Sequence, residues 1–267
     1  MDLATILGIA AAVASLVLGF TLDGGKVTAL VQPTAALIVL GGTLGATLTS
    51  VSLRDFFGIL RFIGVSIRRR KKSPLDVIDV LVGLATTARR EGILALEDRA
   101  AEVGDPFLQK GIQLVVDGTD PELVKNMLDI ELSYIEERHE SAAQIFEFAG
   151  GFAPTMGIIG TVMGLVHVLG DLSNVDALGP QIATAFTATL YGVASANVFW
   201  LPIANKLKRQ HAEERLTYEI IMEGVLAIQA GENPKILDQK LRAFLAPGLR
   251  ERRPEKAGDE TVETAKA

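Results

Sequence analysis

Cysteine is absent from all 267 residues, which removes disulfides, thiolate metal sites and cysteine nucleophiles at once. Aromatic side chains make up 6% of the chain, with a single tryptophan, and the formal net charge is −6. A nucleic-acid role needs a basic groove with stacking platforms, and this composition supplies neither. Nothing resembles a nucleophile with its base, a phosphate loop or a metal-ligand cluster, so no enzyme and no resident cofactor are expected. Strand-like alternation of apolar and polar residues is missing too. The most informative absence is local: no Asp, Glu, Lys or Arg occurs in residues 3–22, 27–53, 148–170 or 177–205.

Those four uncharged runs are what the chain has instead. Hydrophobic residues are 49% of the whole, and each run reaches the roughly 20 apolar residues that a helix needs to cross a bilayer. The expectation is an all-α membrane protein, four transmembrane helices with a helical cytoplasmic domain between spans two and three. Asp2, and no basic leader, precedes the first run, so it reads as a retained span rather than a cleaved signal. Arg54, Arg61, Arg68, Arg69, Arg70, Lys71 and Lys72 follow the second run, and Lys206, Lys208 and Arg209 follow the fourth. The connections at 23–26 and 171–176 are nearly free of positive charge, so the positive-inside rule puts both termini and the middle segment in the cytoplasm.

The reading divides the chain into a transmembrane hairpin at 1–53, a basic amphipathic interfacial helix at 54–72 and a cytoplasmic helical domain at 73–144. A second transmembrane hairpin at 145–205, cytoplasmic C-terminal helices at 206–246 and a disordered tail at 247–267 complete it. Asp23, Gly24 and Gly25 suit a tight reversal between the first two spans. Ser73 followed by Pro74 is a helix start, a capping hydroxyl before a proline that fits the first helical position. Breaks are expected at Gly92, at 104–106 and at 117–121. The helix that starts at Pro121 is expected to continue into span three. Trp200 stands where an interfacial aromatic belongs.

Residues 150–170 read GGFAPTMGIIGTVMGLVHVLG. Ala153, Gly157 and Thr161 fall on one helical face with Gly160 and Gly164 beside them, a face that lets another backbone approach closely. Span four repeats the pattern: Ala185 and Thr189 lie one turn apart, as do Ala188, Gly192 and Ala196. Pro154 and Pro202 each lack the N–H that would bond the carbonyl four residues earlier. Thr161 and Thr189 sit near mid-span on helices joined by a short loop. Two readings stay open for them: hard oxygen ligands for a small cation, or hydroxyls bonded to their own helix. His167 is the one histidine in the runs, and its role is open. A chain that carried ions alone would keep an ionisable group at mid-membrane, so any carrier must come from another polypeptide. Outside the runs, Arg89, Arg90 and Glu97 surround Gly92; such charges either register a charged partner or are solvated.

Four stretches together carry a resemblance: RREGILALE, FAPTMGIIGTVMGLVHVLGDLSNVDALGP, ATAFTATLYGVASANVFWLPIANKL and EGVLAIQAGENP. They resemble the MotA/PomA family of flagellar stator subunits, within the MotA/TolQ/ExbB proton-channel group, from the first span to about residue 245. The resemblance implies a bacterial inner-membrane subunit, five copies ringed around two copies of a MotB-like partner. That single-span partner supplies the ion-carrying aspartate. It further implies that Pro154 and Pro202 couple ion passage to conformational change, and that Arg89 and Glu97 meet the rotor protein FliG; Arg90 is an adjacent charge without an assigned role. Thr161 and Thr189 match hydroxyls of sodium-driven members. Ala188 stands where some of those members have a further threonine, so the transported ion leans to Na+ while H+ stays open. The alternative is an ExbB/TolQ-like energiser of an outer-membrane process; such relatives usually have three spans.

Overall fold

The structure is a computed structural model describing residues 3–67, 73–170, 172 and 175–250. Among the described residues every regular element is helical, and four helices are long and apolar enough to cross a membrane. The expected fold class is the one observed. The chain divides into two compact units, Met1–Arg70 with Ser133–Glu214 and Lys71–Leu132 with Arg215–Ala267.

The first unit holds the apolar runs. Helix α1 (Leu3–Leu22) buries no residue of its own. At the reversal that follows, only Gly24 takes a left-handed conformation, φ 87°, whereas Gly25 lies under the Phe20 ring, 2.4 Å from where a Cβ would stand, so a side chain there would have to push the ring aside. The second span is assembled from pieces: a 3-10 turn Val27–Leu30, α2 (Pro33–Ala36), a π turn Leu37–Gly41 and α3 (Gly42–Ser50). Pro33 opens α2 at its first position, where the missing N–H costs no helical hydrogen bond. The expected hairpin is loose, because α1 meets span two chiefly at Val27–Leu30 and otherwise rests on residues of span four and of the helix α5 described next.

After span two, Ser52 caps α4 (Leu53–Phe57) by accepting from the Asp55 N–H at 3.2 Å, and α5 (Ile59–Ile67) follows. Ile59, Phe62 and Ile63 of α5 pack against protein, while Leu53 and Phe57 are exposed. The basic cluster Arg68, Arg69, Arg70, Lys71 and Lys72 lies outside the described residues.

In the second unit α6 (Pro74–Glu91) begins with a capping box: Ser73 accepts from the Leu75 N–H, and Asp76 accepts from the Ser73 N–H at 3.1 Å. Its buried residues Val77, Ile78, Leu81, Leu84 and Ala85 follow helical period. Gly92, Gly104 and Gly118 all have positive φ and end successive helices, as the breaks in the sequence led one to expect. Between them lie α7 (Leu96–Val103) and α8 (Pro106–Val116), the latter capped by Asp105.

Helix α9 (Pro121–Gly170) is 50 residues long and continues into span three as the sequence suggests, with Pro154 inside it. Span four is α10 (Val175–Ser195), a π turn Ala196–Trp200 and the start of α11 (Leu201–Gln229). The π turn lies just before Pro202, over the stretch whose Val198 carbonyl receives no N–H from that proline.

Alanines of α9 (Ala143, Ala149, Ala153) receive Trp200, Ile203 and Leu207, forming the core of the first unit. Trp200 is therefore not the exposed interfacial aromatic expected from its position. It is 7% exposed, edge-on to Phe199 and tilted against Phe146, because alanines opposite leave room for its ring.

In the second unit α12 (Pro234–Arg242) packs on α6. Arg242 bridges Asp79 and Asp238, and Lys240 sits 2.6 Å from Glu223 and 3.0 Å from Glu232. Hydrogen bonds to those two carboxylates raise the Lys240 pKa above 10.5. Residues 247–250 form a short helix, α13 (Pro247–Arg250), in which Arg250 donates to the Leu245 carbonyl. The rest of the expected tail, residues 251–267, lies outside the described residues.

Candidate functional site

Spans three and four meet along a seam that only small residues permit. A Cβ added to Gly192 would lie 2.5 Å from the Ala153 carbonyl oxygen and 3.0 Å from the Gly157 Cα. One on Gly157 would lie 2.9 Å from the Ala188 carbonyl oxygen, and one on Gly164 2.6 Å from the Ala185 Cβ. The two backbones are thus in direct contact, the arrangement small-xxx-small faces produce where lipid offers no hydrophobic drive to association. Both faces read from the sequence are the faces in contact.

Thr161 and Thr189 come together at the centre of this seam, hydroxyl to hydroxyl. The Thr161 Oγ1 is also within bonding distance of the Ala185 carbonyl across the seam, at 3.0 Å, and of its own Gly157 carbonyl, at 3.1 Å. The two readings left open by spacing are both present: Thr161 bonds its own helix and also reaches the other. Two hydroxyl protons face two carbonyls and each other, so after every proton is used at least one oxygen lone pair remains unshared. That is a cluster of hard neutral oxygens, capable of contributing to a small cation's shell and too weak to hold one without a carboxylate.

The prolines are not part of this cluster. Pro154 is half-buried, seven residues or roughly 10 Å along its helix from Thr161, and Pro202 is exposed, 13 residues or roughly 20 Å from Thr189. His167 is exposed. Tyr191 is the residue that sequence reasoning passed over. Its hydroxyl donates to the Leu30 carbonyl and accepts from the Gln32 N–H at 3.1 Å, satisfying the extended backbone where span two begins. A phenol inside an apolar run needs such a partner, and that need is the signal by which it could have been found.

In the second unit, Arg89 lies in the last turn of α6 and Glu97 in the first turn of α7, each with the sign its helix end favours. Gly92, at φ 92°, and the 3-10 turn Ile93–Ala95 separate them. Arg89, Arg90 and Glu97 are exposed, and among the described residues neither Arg89 nor Glu97 has an ion-pair partner. Leu94, between them, is 75% exposed.

The family model of the MotA/TolQ/ExbB proton channel family matches residues 99–220, and that of the motility protein A N-terminal region matches residues 6–92. The chain is 39% identical to the chemotaxis protein PomA of Vibrio alginolyticus over 250 residues, 94% of this chain and 98% of that one. It is 37% identical to motility protein A of Bacillus subtilis over 246 residues, 92% and 91% of the two chains. Among solved structures, C. jejuni MotAB superposes with TM-score 0.89 at 31% identity, covering 95% of this chain and 100% of that one. The flagellar MotAB stator complex of Bacillus subtilis gives 0.85 at 37%, covering 90% and 95%. Two family matches spanning both ends of the membrane part, and relatives alike over nine-tenths of their length, establish that the chain belongs to the MotA/PomA family of flagellar stator subunits.

Proposed function

We propose that this chain forms the wall of an inner-membrane ion channel and that a MotB-like single-span partner brings the aspartate that carries the ion. The observation that carries this reading is the Thr161–Thr189 hydroxyl pair, set at the centre of two spans that contain no carboxylate. The relatives named above include MotAB complexes, which supports such a partner. Five copies around two partner helices are the arrangement proposed. The loop asymmetry in Arg and Lys supports both termini and the second unit being cytoplasmic.

A cation from outside reaches the partner carboxylate beside the hydroxyl pair, is partly stripped of water by their oxygens, and neutralises the acid. The neutral acid tolerates an apolar wall that the charged one does not, so the ring steps around the partner. One charge falling through 100 mV supplies about 2.3 kcal/mol per step. Pro154 and Pro202 are the positions at which the two helices can bend during that step, each lacking one hydrogen bond. Arg89 and Glu97, with Leu94 exposed between them, form the surface offered to the rotor protein FliG.

Na+ is the proposed cation on the strength of the two hydroxyls, with H+ as its rival at Ala188. The test replaces sodium by potassium over several pH values in cells that depend on this chain for swimming. Loss in potassium at fixed pH supports Na+, indifference supports H+, and cation conduction by the chain without any partner overturns the whole proposal. The ExbB/TolQ-like alternative is not favoured, since the family model of the motility protein A N-terminal region matches residues 6–92.

A further inference from the structure

Span two buries Ala35, Val39, Thr43 and Thr47, each four residues after the last. A regular helix turns about 100° per residue, so a spacing of four drifts by roughly 40° at each step and by about a third of a turn from Ala35 to Thr47. The π turn Leu37–Gly41 takes up most of that drift, because it accommodates one extra residue in a single turn. Span four follows the same rule: Ala188, Gly192, Ala196, Trp200 and Ala204 are buried at spacings of four, with the π turn Ala196–Trp200 among them. There Pro202 supplies a covalent cause. The π turn of span two has none, since Pro33 opens α2 and no other proline follows it in the span.

This π turn leaves a polar group unsatisfied. Thr47 donates its hydroxyl proton to the Thr43 carbonyl, four residues back, at 2.8 Å. The Thr43 hydroxyl is equally buried and has no hydrogen-bond partner. The acceptor it would use in a regular helix is the Val39 carbonyl, and Val39 lies inside the π turn. Passing the extra residue on into α3 restores regular helix between Val39 and Thr43 and supplies that acceptor, while turning Thr43 off the buried face. The two arrangements thus exchange a packed face for a hydrogen bond, the kind of near-balance that makes an element bistable.

The turn also sits where the seam can act on it. Before it, span two is held on span four: Tyr191 bonds Leu30 and Gln32, and Ala35 and Val39 pack on Ala188. On span three its neighbours are small or pliable. A Cβ on Gly160 would lie 3.4 Å from the Ile38 Cγ2, and one on Gly42 2.7 Å from the Met156 Sδ. Gly160 and Ala188 are the immediate sequence neighbours of Thr161 and Thr189, so a change of spacing at the hydroxyl pair reaches the π turn by direct contact.

We propose that the π turn Leu37–Gly41 is a two-state joint: the start of span two stays fixed on span four while α3 turns, by transfer of the extra residue, each time the seam changes shape. That the change accompanies a step of the ring rests on the stator reading.

Two variants test the joint in the full chain, co-expressed with its partner. Thr43→Val keeps the shape and removes the unpartnered hydroxyl, which favours the π arrangement and deprives the other of its bond. The melting temperature of the detergent-solubilised complex is expected to rise while rotation slows by roughly tenfold or more, the shift that one buried unsatisfied hydroxyl commands. Thr43→Ser is expected to restore rotation. Deletion of Leu40, an exposed residue of the π turn, removes the extra residue and leaves Ala35, Val39, Thr43 and Thr47 at spacings of four, three and four, one face of a regular helix. The deleted chain is expected to co-purify with its partner and not to rotate, although no oxygen has been lost. Wild-type rotation in Thr43→Val, or in a Leu40 deletion that co-purifies, overturns the joint. So does a lowered melting temperature in Thr43→Val, which would mean that the hydroxyl is bonded. If the deleted chain does not assemble, Thr43→Val decides the matter. Failure of the stator reading shows separately, as a wild-type chain that drives no rotation with its partner.

Discussion

Thr161 has one proton to give and three oxygen neighbours within reach: the Thr189 hydroxyl and the carbonyls of Gly157 and Ala185. Both carbonyls lie in regular helix, where the main-chain N–H four residues on already bonds them, so deleting the hydroxyl leaves only the part-buried Thr189 hydroxyl without its partner. Thr161→Val, which keeps the shape, is expected to cost about 1 kcal/mol or less in stability. On the proposed ion path its effect on ion-driven rotation is expected to be large, because the wall would lose a hard oxygen beside the partner's acid. Thr161→Ser restores the oxygen and is expected to restore rotation. Swimming speed and partner co-purification, measured on both variants, separate the two effects; wild-type speed in Thr161→Val refutes a role in the ion path. At Lys240 the sign runs toward alkali. Its folded pKa is raised above 10.5 by Glu223 and Glu232, so the stabilisation is complete at neutral pH and is lost as pH climbs through the raised value. Thermal unfolding of Lys240→Met is expected at a lower temperature than wild type at pH 7, the two converging as pH climbs through the raised value.

At the scale of elements, the glycines of the membrane part are not interchangeable, and two of them give opposite expectations. Gly192→Ala drives a Cβ to 2.5 Å from the Ala153 carbonyl, so the helices must part, with overpacking costs of about 1–3 kcal/mol. A Cβ on Gly151 meets nothing within 4 Å, and Gly151→Ala gains helix propensity, up to about 1 kcal/mol. Melting of the detergent-solubilised complex is expected to fall for the first and to hold or rise for the second. Small-residue spacing alone made the seam legible in the sequence, since Ala153, Gly157 and Thr161 can share a face in only one helical register. Caps and breaks were legible for the same reason: Ser73, Asp105, Gly92, Gly104 and Gly118 act on their own neighbours. What could not be read depends on partners distant in sequence. Trp200 was placed at an interface because its pocket is built from alanines of α9 more than 40 residues earlier, and the Tyr191 bond to Leu30 spans 161 positions. The π turns have no local signature beyond the proline that follows one of them.

For the whole molecule the question is how events in the membrane reach a rotor, and the exposed corner after α6 is the place to ask it. Arg89 and Glu97 have opposite signs and no ion-pair partner among the described residues, and Leu94 offers apolar area between them at 75% exposure. A free corner of this kind gains from a charged partner through Coulomb terms of a few tenths to about 1 kcal/mol per exposed pair, so reversing one sign swings the balance by roughly 1–2 kcal/mol. That is about tenfold in engagement. Arg89→Glu is accordingly expected to lower torque at high load, and Arg89→Glu with Glu97→Arg to lower it further, the deficit shrinking as ionic strength rises. Leu94→Asp removes the apolar contact and is expected to act at any salt. None of the three touches the hydroxyl pair, so cation flux through the complex is expected to stay at the wild-type level while rotation fails. Torque measured on tethered cells alongside flux in vesicles distinguishes the outcomes: flux lost together with torque would mean that the corner supports folding, and torque unchanged in the double variant would mean that the rotor is met elsewhere.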